Sequence, residues 1–439
     1  MAIQKITSGI LADGAIVAAD IANGSITTAK IADGNVTSAK IDTVANTKIT
    51  GLVTSGQIAN VANTQVTGSI EATQVGTTVS QLFGMRNRII NGAMEIDQRN
   101  AGAEKNPAVN DTYYVDRWSV ASGAASKFKI QQDAGAVTPP TGFNDYLGCT
   151  SLSAYTAGAS EQFGIYQPIE GYNVADLAFG TASAKTITIS FWVRSSLTGT
   201  FGGSVRNSAA NRSYVFSYTI SAANTWEQKS VTITGDTSGT WLVTNGVGMY
   251  VFFSIGSGST VSGTAGSWAA ANYVSATGAT SVVGTNAATW YITGVQLEVG
   301  STATPFERRL YDKELVSCQR YYEKSYPASS AVPTNSVVGT SISLGTQTYA
   351  GGTGANQMLA GMVYFKVPKR AIPTVTIYSW TSSTVGAVST GWTGADLAAN
   401  TGIIGDASVN AFSIYNGSGS NVTTNGYAIL FQFAASAEL

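Results

Sequence analysis

Between residues 10 and 41 an aliphatic side chain recurs every five positions: Leu11, Ile16, Ile21, Ile26, Ile31, Val36 and Ile41. The residues around them repeat every ten, as Leu11-Ala-Asp-Gly14, Ile21-Ala-Asn-Gly24 and Ile31-Ala-Asp-Gly34. One apolar residue in five fits neither the 3.6-residue period of a helix nor the two-residue period of a strand. A short fixed period marks a quasi-one-dimensional element. Two aliphatics per unit return less on burial than ten residues lose in backbone freedom, so one copy is not expected to fold alone. Several chains wound together would bring the aliphatics to a shared axis and let backbone groups pair between chains. The Asp/Asn-Gly steps suit tight turns. Ser25-Ile-Thr-Thr28 and Asn35-Val-Thr-Ser38 read as short extended pieces. The pattern loosens but persists, with Thr47-Lys-Ile-Thr-Gly51 echoed by Thr64-Gln-Val-Thr-Gly68. Phe83 is the one aromatic residue in the first 84. A disordered Ala/Gly/Thr linker is the competing reading, but a linker does not place its aliphatics at a fixed interval. Residues 1–84 are therefore expected to form a thin multi-chain shaft.

Near residue 85 the apolar period changes to two. Asn91-Gly92 between apolar pairs is a turn signal. Alternating runs follow at Lys185–Arg194, Tyr214–Ile220, Ser230–Thr234, Val247–Phe253 and Trp290–Glu298. Short strands at this spacing predict an antiparallel β-sandwich over residues 85–310. Pro305-Phe-Glu-Arg-Arg309 closes it. A linking segment, 311–328, holds the one convincing helix, Asp312 to Glu323, capped by Asp312 and with Leu315, Cys318 and Tyr322 on one face. Such a helix can pack between neighbouring chains or against its own sandwich. Residues 329–439 form a small C-terminal β domain, with strands expected at Met362–Arg370, Pro373–Trp380 and Ala428–Phe433. The expected fold class is mainly β: repetitive shaft, central jelly-roll-like sandwich, one linking helix and a C-terminal β tip.

Composition narrows the chemistry. Lys plus Arg number 24 and Asp plus Glu 25, for a net charge of -1, so there is no electrostatic footprint for nucleic acid or an anionic membrane. Charged residues are 11 % of the chain, against 48 glycines, which suits sheet surfaces and extensive protein contact. No run approaches 18 apolar residues and the start has no hydrophobic core segment. A soluble chain that is neither inserted in a membrane nor exported by a signal peptide is expected. There is no histidine, which excludes the usual zinc sites, Ser-His-Asp triads and Cys-His dyads. Cys149 and Cys318 are expected to be reduced and buried.

Two long stretches carry a resemblance. Met85-Arg-Asn-Arg-Ile-Ile-Asn-Gly-Ala-Met-Glu-Ile-Asp-Gln-Arg-Asn100 resembles the opening of a domain found in bacteriophage tail fibre proteins. Tyr291-Ile-Thr-Gly-Val-Gln-Leu-Glu-Val-Gly300, Ala303-Thr-Pro-Phe-Glu-Arg-Arg309 and Cys318-Gln-Arg-Tyr-Tyr322 resemble the end of the same domain. The ten-residue repeat is similar to fibre shafts of such phages. The resemblance implies a virion fibre, usually a homotrimer, whose N-terminal segment joins a tail or baseplate protein and whose distal domains meet a bacterial surface receptor, a glycan above all. The middle domain also resembles jelly-roll carbohydrate-binding modules, which often carry a calcium site of acidic residues near strand ends. Ile292-Thr-Gly-Val-Gln-Leu297 lacks such an acidic pair, so no metal and no cofactor are expected.

Some phage fibres cleave polysaccharide with paired carboxylates, a chemistry set by carboxyl separation. Glu95 and Asp97, two apart on an expected strand, and Asp111 and Asp116 are the candidates here. Salt bridges of the first pair with Arg86, Arg88 or Arg99, and of the second with Arg117, are the plainer reading, and no catalytic residue is assigned. A tailspike-type enzyme and a capsid or tail connector without receptor contact are the alternatives. Glycan recognition without cleavage needs aromatic faces beside amide and hydroxyl groups. Trp118, Trp192 and Trp290 read as core. Trp268 with Tyr273, and Trp380 with Trp392, lie in Gly/Ser/Thr-rich surroundings and are the receptor-binding candidates, although such residues also serve as loop anchors.

Overall fold

The computed structural model of the chain describes residues 15, 17–22, 25, 27, 86–108, 112–344, 348–349, 357–390, 396–416 and 428–439. The chain falls into two units, Met1–Val75 and Gly76–Leu439. In the first, Ala18–Asp20 forms a 3-10 turn, with the Val17 amide donating to the Asp20 carboxylate at 3.0 Å. Of the seven expected shaft positions, Ile21 is described and is exposed. Leu11, Ile16, Ile26, Ile31, Val36 and Ile41 lie outside the described residues.

The second unit opens with a two-layer antiparallel sandwich. One sheet has seven strands in the order Thr112–Val115, Trp118–Ser122, Gln162–Glu170, Val247–Ser257, Gly199–Arg206, Ser213–Ile220 and Trp268–Ala269. The facing sheet has five: Phe128–Gln132, Leu147–Ser151, Thr289–Val299, Ile187–Ser195 and Glu227–Ile233. The strand alternation decides what lies between them. On Ile187–Ser195, Ile187, Ile189, Phe191 and Val193 are fully buried against the other sheet. Phe253 sits at the centre of that layer, with Phe191 at 4.9 Å and Trp118 and Trp290 each at 6.3 Å between ring centroids. Aromatic rings of this size supply most of the apolar area such a core removes from water. Trp118 and Trp290 are core residues, as expected, and Cys149 and Cys318 are buried free thiols.

The C-terminal strands form a nine-stranded sheet assembled around the last one, Ala428–Ser436. This strand pairs with Tyr322–Lys324, Ser341–Leu344, Thr374–Tyr378 and Ala387–Thr390. Its core gathers Phe365, Ile377, Val388, Phe412, Ile414, Phe431 and Phe433. The strand expected at 362–370 occupies Gln357–Tyr364 instead. The chain turns before Pro368, which has no amide hydrogen for a ladder.

The helix also differs from its expected bounds. It runs Tyr311–Gln319, follows Leu310 without a side-chain cap, and buries Glu314 and Gln319 beside the expected Cys318, with Leu315 half-buried and Tyr322 buried beyond the helix end. Two contacts end it early. Arg320 donates twice to the Glu170 carboxylate, at 2.6 and 2.9 Å, and the Tyr321 hydroxyl donates to the same group at 2.6 Å. Tyr322 then enters the sheet opposite Ser436. The inner face lies on its own sandwich, where Glu314 accepts from the Asn91 amide and pairs with Arg309 at 3.3 Å.

The stretches 86–100 and 291–309 are about 190 residues apart in sequence and side by side in the fold. The Val295 amide donates to Gly92 and the Arg88 amide to Leu297, both at 2.9 Å. Asn87 ties the two together, donating to the Val295 carbonyl and accepting from the Ile89 and Leu297 amides. Gly92 is required there, since a Cβ would stand 2.1 Å from the Val295 carbonyl oxygen.

Candidate functional site: an aromatic groove on the sandwich

The alternation that buries Phe191 and Val193 turns Trp192 to the opposite face of the sheet, where it is half-buried rather than in the core. Its ladder neighbours are Thr293 on one side and Gln228 on the exposed edge strand. Two loops rise beside it and leave an open groove of about 680 Å³ above the indole. Phe143 from one loop and Phe306 and Arg308 from the other meet along its side. The two phenyl rings meet edge to face at 5.2 Å, and the Arg308 guanidinium lies 4.6 Å from the centre of the Phe143 ring.

The strand Thr289–Val299 fixes both walls. Thr293 donates its hydroxyl to the Asp145 carbonyl at 2.7 Å, which pins the Phe143 loop. Gln296 accepts from the Glu307 amide at 2.7 Å, and Glu298 accepts from the amide and hydroxyl of Thr304 at 2.8 and 2.6 Å. These bonds hold the Phe306 loop over the sheet. Gly294, between them, has φ +62° at a register shift in the ladder. A Cβ there would stand 2.6 Å from Cζ of Phe143 and 3.2 Å from Cδ1 of Trp192. The run Thr293-Gly-Val-Gln-Leu-Glu298 is thus the foundation of the groove. Its chemistry is an apolar aromatic floor and walls rimmed by amide, hydroxyl and cationic donors, which fits a ring with one apolar face and many hydroxyls.

Behind the Phe306 loop lies a small cavity of about 70 Å³ lined by Glu95, Arg308, Arg309 and Glu314. Burial raises the Glu95 carboxyl above its usual range; Arg308 opposes the shift and Glu314 adds to it. Asp145, behind Phe143, is pushed up to about 7 by burial first, then by the charge of Asp133 and a hydrogen bond with it. Among the described residues no cluster of acidic or thiol groups is arranged to hold a metal ion.

The expected carboxylate pairings are replaced by others. Glu95 and Asp97 lie in an irregular segment, not a strand, because this stretch wraps the sandwich by loop contacts rather than pairing in a ladder. Asp97 accepts from the Asn100 and Gly102 amides at 2.9 and 2.7 Å, closing a turn. Arg86 reaches Thr304, Arg88 pairs with Asp176 and Arg99 with Glu438. Asp116 accepts from the Gln98 amide at 2.6 Å, while Arg117 pairs with Glu438. Asp111 lies outside the described residues.

The four aromatic receptor candidates do not form one site among the described residues. Trp268 donates to the Thr234 carbonyl at 2.7 Å and packs edge-on against Phe179, Tyr214 and Trp241. Tyr273 lies over Gly263, where a Cβ would stand 2.3 Å from its ring. Trp380 is half-buried, and its indole nitrogen is buried without a hydrogen-bond partner among the described residues. Trp392 lies outside the described residues. Trp192, expected in the core of an alternating strand, is instead the aromatic residue on its outer face. The signal was present, since Trp192 shares its parity with Thr188, Ser190 and Arg194.

No family model matches the chain, and no curated protein sequence matches it. Among solved structures it is similar to a putative sugar binding protein from Bacteroides thetaiotaomicron, at 10 % identity over 49 % of this chain and 100 % of that one, TM-score 0.29. It is similar to TmCBM61, solved with β-1,4-galactotriose, at 10 % identity, again over 49 % and 100 %, TM-score 0.25. It is also similar to the enzymatically active domain of the bacteriophage CBA120 tailspike protein 4, at 11 % identity over 49 % of this chain, TM-score 0.25. The matched part spans about a fifth of that tailspike chain, 21 %.

Proposed function

We propose that this chain is a structural fibre of a bacteriophage virion that binds a bacterial surface glycan, and that the groove over Trp192 is the binding site. The observation that carries the site is the half-buried indole on the outer face of the sheet, walled by Phe143 and Phe306 and rimmed by Gln228 and Arg308. The fibre assignment rests on the shaft-like repeat and on the two stretches that resemble tail fibre proteins. In this reading the chain is a homotrimer, its N-terminal segment joins a tail or baseplate protein, and it binds its glycan without cleaving it.

The test is affinity electrophoresis of the intact chain through gels containing bacterial capsular and lipopolysaccharide glycans, with reducing ends assayed in parallel. Retardation by at least one glycan, loss of about tenfold or more in affinity for Trp192→Ala, and no release of reducing ends are expected. Retardation that survives Trp192→Ala contradicts the site. Release of reducing ends establishes the tailspike-type enzyme instead, and no retardation by any glycan favours a connector without receptor contact.

A further inference from the structure

Resting on that reading, we infer that the groove takes an acidic saccharide, one whose ring carries a carboxylate. The charged residues lining it are Lys229 and Arg308, and no carboxylate lines it. Lys229 is held by Glu227 at 2.6 Å, and Glu227 also accepts from the Ser221 and Ala222 amides, so that pair is internally satisfied. Arg308 is different. It is exposed and makes no ion pair within 4 Å among the described residues. Its guanidinium is propped on Phe143 at 4.6 Å and lies 5.8 Å from the centre of Phe306.

Two carboxylates of the neighbouring segments are committed elsewhere. Glu307 accepts from the Asn87 amide at 2.7 Å, and Glu314 pairs with Arg309. Glu95 faces the small cavity behind the loop, which Arg308 also lines, and the two charges feel each other there without an ion pair within 4 Å. A guanidinium supported on an aromatic face presents its donor fork outward, and a fork of that shape matches a carboxylate with two parallel bonds. Trp192 offers the apolar platform for the same ring, with the Gln228 amide and Ser230 hydroxyl beside it for its hydroxyl groups. A carboxylate on the ring edge facing the Phe306 loop would meet Arg308 while the ring lies on the indole.

The test uses the full chain and a panel of uronic and nonulosonic acid oligosaccharides, each beside its carboxyl-reduced neutral twin, with dextran sulfate as a second anion. Titration calorimetry at low salt should give at least one acid bound about tenfold or more tightly than its twin. Arg308→Gln should bring that ratio close to one, with its melting temperature within about 2 °C of wild type because the side chain is exposed. Arg308→Lys should restore only part of the ratio, since a point charge lacks the fork. Acids and twins bound equally, or a ratio that survives Arg308→Gln, overturns this inference and leaves the glycan reading standing. Dextran sulfate bound while no carboxylated sugar binds also overturns it. No saccharide bound at all overturns both.

Discussion

Gly294 carries two demands at once: a positive φ and the space that Phe143 fills. An alanine there must hold a left-handed backbone and displace an aromatic ring, so Gly294→Ala should destabilise the sandwich by about 1–3 kcal/mol. Chemical denaturation measures this, and an unchanged midpoint contradicts the packing described for the groove wall. A second residue-scale prediction concerns pH. Asp145 and Asp116 are both pushed up to about 7, mainly by burial. A carboxyl that holds its proton more tightly folded than unfolded stabilises the fold fully below the unfolded value near 4. That contribution is lost as pH rises from about 4 to about 7. The melting temperature should therefore fall between pH 5 and 7.5 through these groups, and Asp145→Asn, which keeps a donor toward Asp133, should flatten the fall. An unaltered slope in that variant contradicts the assignment. Trp192 shows how far sequence reaches at this scale. Its parity placed it outward, but an apolar residue inside an apolar run reads as core unless the alternation is followed residue by residue.

The elements of the sandwich are legible in sequence because one face of each strand is buried and the other is not, so period two survives. Ile187–Ser195, Ser213–Ile220 and Thr289–Val299 lie within two residues of the runs that predict them. The helix end was not legible. It is set by Arg320 and Tyr321 meeting Glu170, a residue 150 positions earlier, and by the pairing of Tyr322 with Ser436. The groove walls were hidden for the same reason: the bonds of Thr293, Gln296 and Glu298 to loops cannot be read from local pattern. The last strand makes an element-scale prediction. Just beyond it, Glu438 meets Arg117, whose side chain is 1 % exposed, and Arg99. Removing one partner strands a buried charge, so Glu438→Ala should cost about 3 kcal/mol or more in urea denaturation. A cost below about 1 kcal/mol contradicts a role for this ion pair in tying the nine-stranded sheet to the sandwich.

For the whole molecule, the repeat and the groove answer different questions. A period of five calls for partner chains, and the intact protein should have three times the mass of one chain by light scattering. A stable monomer with a folded 1–84 segment contradicts the shaft. In the proposed trimer, three grooves would turn modest affinity at each into tight attachment to a surface that repeats its sugar. The central claim is where that sugar lies. A crystal structure of the intact chain with a bound oligosaccharide from the panel tests it most directly. A sugar ring stacked on Trp192 beside the touching rings of Phe143 and Phe306, with its carboxylate on Arg308, is expected. Density for the sugar at Trp380, at Trp268 or elsewhere, with the Trp192 groove empty, would contradict it.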